Sequence, residues 1–182
     1  MKKGFTLIEL LIVIAILAIL ATTVVLVLNP AQLLAQARDT QRISDLSTLK
    51  SAIAIYLSTA TSPTVGTTAN ATSNATCGLN SGTCTVNATT TVDGNGWIGV
   101  DLTGTSGGST IAALPLDPTN DATYQYAYNG DNTNKTFELN CRLESTKYRV
   151  EMSSDGGDKN TCSNYTEATC YYEIGTDPSL DL

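Results

Sequence analysis

The chain divides into three regions by the pattern of its apolar and polar positions. The first is an almost continuous apolar run over residues 5–28, in which the single charged residue is Glu9. As a helix this run would be roughly 35 Å long, which is enough to cross a bilayer core of about 30 Å. Lys2 and Lys3 precede the run, so we expect the N-terminus to stay in the cytoplasm and the rest of the chain to be exported.

Residues 29–58 form the second region and have the periodicity of an amphipathic helix. Proline at position 30 predicts a bend, and beyond it apolar residues recur mostly every three or four positions. These residues are Leu34, Ala37, Ile43, Leu46, Leu49, Ile53 and Tyr56. We expect them to form one buried stripe that packs against a globular domain. The first two regions together predict one helix from about residue 5 to residue 58, bent near Pro30.

Four charged residues lie between the apolar positions of this helix: Arg38, Asp39, Arg42 and Asp45. At helical spacing they could pair with one another or with a neighbouring subunit. Because exposed ion pairs contribute little to stability, a solvated face is the simpler interpretation.

The third region, residues 59–182, has the texture of a β-rich head domain. Residues 59–91 are rich in Thr, Ser and Asn and predict loops, and residues 109–114 could make a helical turn. The predicted strands are 96–102, 124–128 and 136–143, with Asn129-Gly130 beginning the turn of a hairpin. We therefore predict an α+β fold, in which the C-terminal half of the long helix packs on an antiparallel sheet of three to five strands.

Composition argues against two classes of function. The net charge is −7, and because nucleic-acid binding depends on clustered Lys and Arg, we expect no direct nucleic-acid partner. The chain has no histidine, the commonest general base and metal ligand, so it has neither a Ser-His nor a Cys-His pair. We expect a building block without a cofactor rather than an enzyme.

Five cysteines in an exported domain predict disulfide bonds with one thiol left over. Spacing favours the pairs Cys77–Cys84 and Cys162–Cys170, because each brackets a short polar segment that can turn back on itself. Cys141 lies among the apolar positions of an alternating segment, so we expect a buried free thiol that acts as a small hydrophobe. Metal binding by the cysteines is the alternative, which the lack of a CxxC motif disfavours.

Five Asn-x-Thr sequons are candidate acceptors of N-glycans: Asn70, Asn74, Asn87, Asn134 and Asn164. Many sequons arise by chance in a chain rich in Thr and Asn, and O-glycans on Ser and Thr are an alternative. A glycosylated surface would favour an extracellular location.

Two details of the N-terminal run are unusual for a plain membrane anchor. Only four residues precede the run, and a carboxylate inside a membrane segment implies a functional partner. If the chain were cut after Gly4, Phe5 would carry a free α-amine. Pairing of this amine with Glu9 of a staggered second copy would neutralise both charges and fix an axial offset.

Residues 3–16, KGFTLIELLIVIAI, resemble the class III signal of type IV pilins and type II secretion pseudopilins. The resemblance implies that a prepilin peptidase cuts after Gly4 and methylates the Phe5 amine, and that the chain forms a homopolymer through its helix and Glu9. Further implied partners are the membrane before assembly and an inner-membrane assembly platform with its ATPase. The implied parts of the chain are a leader (1–4), an assembly half of the helix (5–28), an amphipathic half (29–58) and a head domain (59–182).

A looser resemblance covers the head domain. The Asp117-Pro118 turn and the Tyr-rich hairpin after it look like those of major-pseudopilin-like pilins, and residues 171–176 would close the sheet. Residues 153–158 resemble a Gly/Asp loop that is associated with calcium in major pseudopilins. The candidate ligands implied by this resemblance are Asp155, Asp158 and Asn160. Oxygen atoms on a flexible loop suit Ca²⁺, and a plain polar turn is the alternative.

The expected function is that of a structural subunit of a type IV pilus-like surface filament. The alternative of the same class is a pseudopilin of a type II secretion system, a periplasmic piston. A membrane-tethered ligand- or glycan-binding domain that retains residues 1–4 is the alternative of another class, and a membrane-anchored enzyme ranks after it. We expect the protein in the cytoplasmic membrane before assembly, and then in an extracellular pilus or a periplasmic pseudopilus.

Overall fold

Two helices make up the N-terminal part of the molecule. The computed structural model describes residues 4–77, 84–105, 107–163 and 169–176, apart from the side chain of Leu26. Helix α1 covers Leu7–Leu28, and helix α2 covers Pro30–Thr59. The long helix predicted with a bend near Pro30 is confirmed, and the bend is a one-residue break at Asn29 that divides the stretch Leu7–Thr59 into α1 and α2.

That residue, Asn29, ends one helix and begins the next. Its backbone is left-handed (φ 39°, ψ 74°), a conformation that Asn tolerates better than most residues. Its side-chain oxygen accepts a hydrogen bond from the backbone N–H of Gln32, so Asn29 is also the N-cap of α2. Pro30 takes the first position of α2, where a missing N–H leaves no helical bond unmade.

Five short strands of the described residues form one sheet in the order β2-β1-β3-β4-β5. Neighbouring strands are antiparallel except for β1 and β2, which are parallel. The strands are β1 (Asn70–Ala71), β2 (Thr85–Val86), β3 (Ala127–Asp131), β4 (Thr136–Cys141) and β5 (Tyr172–Gly175). A long N-terminal helical stretch packed on a mostly antiparallel sheet confirms the predicted α+β class.

The core lies between α2 and the inner face of the sheet. Alternation along β4 turns Phe137, Leu139 and Cys141 to this side, and all three are fully buried. The α2 residues in the same buried cluster are Leu46, Leu49, Ile53 and Tyr56. Burial of each large apolar side chain stabilises the fold by about 1.5–3 kcal/mol relative to exposure. The second half of the predicted apolar stripe and the strand predicted at 136–143 are thus confirmed.

The first half of the stripe on α2 differs from the prediction. Leu34 is 62% exposed and Ala37 is exposed as well, whereas Asp39 and Arg42 are 0% exposed. The interpretation of the charged residues as a solvated face is therefore wrong for Asp39 and Arg42, and Asp45 is partly buried. In this half of the helix, ion pairs rather than apolar contacts hold α2 to the head.

Arg42 is the centre of these ion pairs. Its Nε and Nη2 donate to the two carboxylate oxygens of Asp117 at 2.6 and 2.9 Å, and its Nη1 donates to Asp39 at 3.0 Å and to Glu144 at 2.6 Å. Arg38 binds the same Glu144 carboxylate from the rim. These five residues, the Arg42 cluster, join α2 to the turn at position 117 and to the segment after β4.

Residues 96–102, predicted as a strand, are an irregular buried segment that ends in a 3₁₀ turn at Leu102–Gly104. Trp97 and Ile98 are adjacent and both 0% exposed, so the side chains do not alternate as they would in a half-buried strand. The Trp97 indole donates to the carbonyl oxygen of Pro115 at 3.0 Å. Residues 109–114 contain bends rather than a helical turn.

The hairpin turn lies later than predicted, at residues 132–135. Asn129 and Gly130 belong to β3 instead. Gly130 serves a close approach between chain segments, because a Cβ at this position would overlap the carbonyl oxygen of Val65. Strand β5 lies at the edge of the sheet beside β4, as the resemblance implied.

The structure places both predicted cysteine pairs at disulfide distance. The Cα–Cα distance is 6.0 Å for Cys77–Cys84 and 4.9 Å for Cys162–Cys170. Residues 78–83 and 164–168, which the two pairs bracket, lie outside the described residues. Cys141 is buried and free, and burial raises the pKa of its thiol well above the usual range, which keeps it protonated and unreactive.

Candidate processing and assembly site

Gly4 and Phe5 lie in non-helical chain ahead of α1, and both are exposed. No heavy atom of the described residues comes within 4 Å of the position that a Cβ on Gly4 would take. The Phe5 side chain is 82% exposed. Residues 1–3 of the predicted leader lie outside the described part of the chain. On its described side, the predicted cleavage point is therefore open to a peptidase.

Glu9 closes the N-terminus of α1 together with Thr6. Thr6 is the N-cap, and its Oγ1 accepts a hydrogen bond from the Glu9 backbone N–H at 3.3 Å. In return, Glu9 Oε2 accepts bonds from the backbone N–H and the hydroxyl of Thr6 at 2.8 and 2.7 Å. This reciprocal arrangement is a capping box, and the helix dipole also favours a carboxylate in the first turn.

Sequence reasoning considered only an amine as the partner of Glu9 and missed Thr6. The signal was present, because Thr-x-x-Glu directly before an apolar run is the sequence signature of a capping box. The box does not exclude a second partner, since Glu9 is exposed and the box uses only its Oε2. Its other carboxylate oxygen remains available to a neighbouring molecule.

Helix α1 presents apolar side chains in all directions. Its 22 residues extend roughly 33 Å, and every α1 side chain that the structure describes is exposed. By length and composition, the helical stretch Leu7–Thr59 holds the one candidate membrane span among the described residues, and no part of that apolar window is buried. A helix that is apolar all round belongs in lipid or among similar helices.

The two threonines of α1 do not interrupt this apolar surface. The hydroxyls of Thr22 and Thr23 donate to the backbone carbonyls of Ile19 and Leu20, each at 2.8 Å. Donors that are satisfied within the helix carry little penalty in an environment without water.

The three predicted calcium ligands lie in one loop, but their side chains have different partners. Asp155 accepts hydrogen bonds from two backbone N–H groups at 3.0 and 2.8 Å. Asp158 binds the Lys159 ammonium at 2.6 Å, and Asn160 donates to a backbone carbonyl at 3.3 Å. Within the described ranges, no group of three or more His, Cys, Asp or Glu side chains could hold a metal ion. Calcium at these three residues stays a prediction.

The sequons differ in their accessibility. Asn134 is exposed on the turn between β3 and β4, whereas Asn70 lies in β1 and is only 7% exposed. Asn164 lies outside the described residues. On exposure alone, Asn134 is the more accessible acceptor of these.

The segment that carries Gly4, Phe5 and Glu9 matches a known family. Residues 1–25 match the family model described as the prokaryotic N-terminal methylation motif. This match supports a type IV pilin-like or pseudopilin precursor. Comparison of the chain with curated proteins and with solved structures gave no match.

The matched motif and α1 together support two general statements about this chain. The motif implies processing by a prepilin peptidase and assembly into a filament. The exposed apolar helix that follows the predicted cleavage point indicates anchoring in a membrane before assembly.

Proposed function

We propose that this prepilin is a structural subunit of a type IV pilus-like surface filament, cut after Gly4 and assembled through α1. The observation that carries the proposal is the exposed apolar surface of α1 around a single carboxylate. The head has its own core, to which the described side chains of α1 contribute nothing. An apolar surface of this size indicates association first with lipid and then with other copies of α1.

Assembly would move α1 from lipid into a bundle of identical helices. Its apolar surface stays out of water throughout, so the transfer is not opposed by the hydrophobic effect. Glu9 would keep its bonds to Thr6 through Oε2 and offer Oε1 to the Phe5 α-amine of a neighbouring copy. Only one axial offset brings these two groups together, so the pair would select the register of the filament. Low local dielectric makes such a pair strong when it forms. It also makes a buried carboxylate or amine without its partner unfavourable.

The chain would depend on other proteins for each step of this pathway. A prepilin peptidase would cut after Gly4 and methylate the amine of Phe5. An assembly platform in the inner membrane and its ATPase would extract the mature subunit from the cytoplasmic membrane. The chain itself would act as a structural part, without a catalytic step.

A pseudopilin of a type II secretion system is the second candidate, favoured by the likeness of the Asp117-Pro118 turn and hairpin to those of major-pseudopilin-like pilins. Antibody against the head would label filaments on intact cells if the chain forms a pilus. Labelling only after permeabilisation of the outer membrane would favour the pseudopilus. A membrane-tethered ligand- or glycan-binding domain would keep residues 1–4 and form no filament.

Replacement of Glu9 by Leu tests the assembly step. Cleavage and membrane insertion should be unchanged, while the yield of sheared filaments per membrane-bound mature subunit should fall at least about tenfold. A loss of that size corresponds to about 1.4 kcal/mol, which is less than a buried charge pair can contribute. Glu9→Asp should be intermediate, because its shorter side chain reaches less far.

Thr6→Val is the matched control, because Glu9→Leu removes the capping box as well as the carboxylate. The control loses the Thr6 hydroxyl and keeps Glu9, so its filament yield should stay close to that of the wild type. Equal losses in both variants would assign the effect to the helix cap. Normal yield from Glu9→Leu would reject the assembly role and favour the tethered binding domain.

Replacement of Gly4 by Val tests the processing step. The mature wild-type protein should begin at Phe5 with one methyl group on its amine, as measured by intact mass and N-terminal sequencing. The variant should accumulate as a full-length membrane precursor, because a peptidase cleft that takes the bare Gly backbone has no room for a branched side chain. Normal processing of Gly4→Val would place the cut elsewhere.

A further inference from the structure

Two glutamates of neighbouring strands are buried together on the outer face of the sheet. Asn140 of β4 is paired with Glu173 of β5, so Glu138 and Glu173 are diagonal neighbours on one face. This face points away from the α2 core, yet Glu138 is 0% exposed and Glu173 is 1% exposed. We refer to them as the Glu138–Glu173 pair.

The loop at residues 155–160 covers this pair. The Lys159 backbone N–H donates to Glu173 Oε2 at 2.8 Å, and the Tyr171 N–H donates to the Lys159 carbonyl at 3.0 Å. A Cβ on Gly157 would overlap the Glu173 carboxylate, so the loop backbone lies directly against that side chain. The loop is therefore fixed over the carboxylates by backbone contacts.

Each glutamate has one oxygen without a donor. Glu138 Oε1 lies 3.4 Å from Asn140 Nδ2, and Glu173 Oε2 accepts the bond from Lys159. The other two oxygens, Glu138 Oε2 and Glu173 Oε1, receive no hydrogen bond from any residue that the structure describes. Buried polar atoms in folded proteins are nearly always bonded, so these two oxygens either share a proton between the two carboxyl groups or bind a partner from outside the chain.

The charges around the pair do not balance it. Burial and then the charge of Glu173 raise the pKa of Glu138, and burial also raises the pKa of Glu173. Asp155 and Asp158 add negative charge nearby. The charge of Lys159 acts on Glu138, but its ammonium lies 2.6–2.7 Å from both oxygens of Asp158. Two like charges buried side by side are strongly unfavourable, so either a shared proton or a cation has to neutralise them.

We propose that the Glu138–Glu173 pair binds a hard divalent cation, Ca²⁺ or Mg²⁺, beneath the 155–160 loop. The side-chain donors on this face are oxygens, which suit these ions rather than zinc or copper. Two carboxylates supply up to four oxygens, and backbone carbonyls or water would complete the coordination shell.

This site differs from the loop site predicted from sequence, because its carboxylates come from strands. Adjacent strands of a sheet hold their side chains in place before a ligand arrives, which lowers the entropy lost on binding. The site belongs to the head and does not depend on the filament proposal. Failure of the cation proposal would leave the filament proposal intact, and failure of the filament proposal would leave the cation proposal intact.

The test uses the full-length chain in detergent micelles, stripped with EDTA and titrated separately with CaCl₂ and MgCl₂. Thermal unfolding is followed through the fluorescence of Trp97, the only tryptophan, which is fully buried. At least one of the two ions should raise the midpoint by roughly 5 °C, because a ligand that binds only the folded state stabilises it.

Three variants locate the cation. Glu138→Gln and Glu173→Gln keep the shape of the side chains and should each abolish the shift. Asp158→Asn changes a predicted loop ligand that faces Lys159, and it should retain the shift. In EDTA, Glu138→Gln should unfold at or above the wild-type temperature, because it removes one of two like charges.

Loss of the shift in both glutamate variants, with retention in Asp158→Asn, supports the strand site. Loss in Asp158→Asn with retention in Glu138→Gln would place the cation in the loop and overturn the proposal. The absence of any shift in the wild type would overturn it as well and leave a shared proton to neutralise the pair. A Glu138→Gln variant that unfolds earlier in EDTA would contradict the premise that its carboxylate is unfavourable there.

Discussion

The Arg42 cluster and the Glu138–Glu173 pair are both buried ionic groups of one head domain, and they are built in opposite ways. In the cluster, one guanidinium contacts three carboxylates, and each of these accepts at least one further hydrogen bond. In the pair, two carboxylates meet each other, and each keeps an oxygen without a donor among the described residues. Contacts among the described residues satisfy the first group, whereas the second keeps two buried oxygens without a donor from another residue.

This difference separates a structural role from a binding role. Burial of charge alone does not indicate a ligand, since Arg42 and Asp39 are as deeply buried as the pair and bind each other within the cluster. The cluster joins α2 to residues 75 or more positions later in the chain, which is what a device for positioning the helix requires. A buried group that the chain itself does not neutralise is the better indicator of an external partner.

Arg42→Met should have the largest effect on the head. The variant leaves two buried carboxylates, Asp39 and Asp117, without their shared cation, so the free energy of unfolding should fall by about 3–5 kcal/mol. Urea unfolding of the full chain in micelles, followed through Trp97 fluorescence, measures the loss.

Arg38→Met is the matched control, with the same chemistry at the rim of the cluster. The Arg38 side chain is 38% exposed, so its loss should lower the free energy of unfolding by less than about 1 kcal/mol. Equal losses in the two variants would show that burial does not distinguish the two arginines.

Removal of either cysteine pair, by Ser at both positions, should have the next largest effect. The paired cysteines are 7 and 8 residues apart in sequence, so each bridge closes a short loop. In the chain-entropy model each should contribute about 2–3 kcal/mol to the free energy of unfolding. Non-reducing peptide mapping should first show Cys77 linked to Cys84 and Cys162 linked to Cys170, with Cys141 unlabelled until the protein is denatured.

The two bridges should differ in their effect on cation binding. Cys170 forms a β-bridge with Asn160, next to the loop that covers the Glu138–Glu173 pair. Cys77 and Cys84 pack elsewhere, with Ala71 and Ala127. Loss of the Cys162–Cys170 bridge should therefore weaken the CaCl₂ or MgCl₂ response, and loss of the other should not. Equal weakening would show that the response depends on overall stability rather than on this loop.

The smallest effect concerns pH and Glu144. Burial tends to raise the pKa of its carboxyl, but hydrogen bonds from Arg38 and Arg42 outweigh burial and lower the pKa below 4.5. A lowered pKa in the folded state means that the stabilisation is fully present above pH 4.5 and is lost as the pH falls through the folded-state pKa. The difference in unfolding free energy between wild type and Glu144→Gln should be constant above pH 4.5. It should shrink as the pH falls through the folded-state pKa of Glu144. A difference that grows on acidification would contradict this assignment.

The parts of the fold that could be predicted from sequence are those set by local patterns. The apolar run of α1 and the alternation along β4 each depend on neighbouring positions only. The burial of Arg42 could not be predicted in this way, because its partner Asp117 lies 75 residues away and a charged residue between apolar ones looks like a solvated one. The turn predicted at Asn129-Gly130 was wrong for a similar reason. Asn-Gly usually marks a turn, and the neighbour that requires glycine at position 130, Val65, is remote in sequence.

The candidate sites divide in the same manner. Gly4, Phe5 and Glu9 lie within six consecutive residues, and the capping box of Thr6 was also visible there. Glu138 occupies the outward position of an alternating strand, for which a polar residue is the ordinary expectation. Only the folded chain shows that Glu138 is 0% exposed and that the 155–160 loop binds its neighbour Glu173.

The one-residue junction at Asn29 also determines how the molecule bears force. Traction on α1 would reach the head through the backbone of Asn29 and the first turn of α2. Gln32, whose side-chain oxygen accepts a bond from the Thr146 backbone N–H at 3.1 Å, ties that turn to the head. The angle between stalk and head is therefore set by two dihedral angles of one residue, and a change in that angle disturbs no contact of the core.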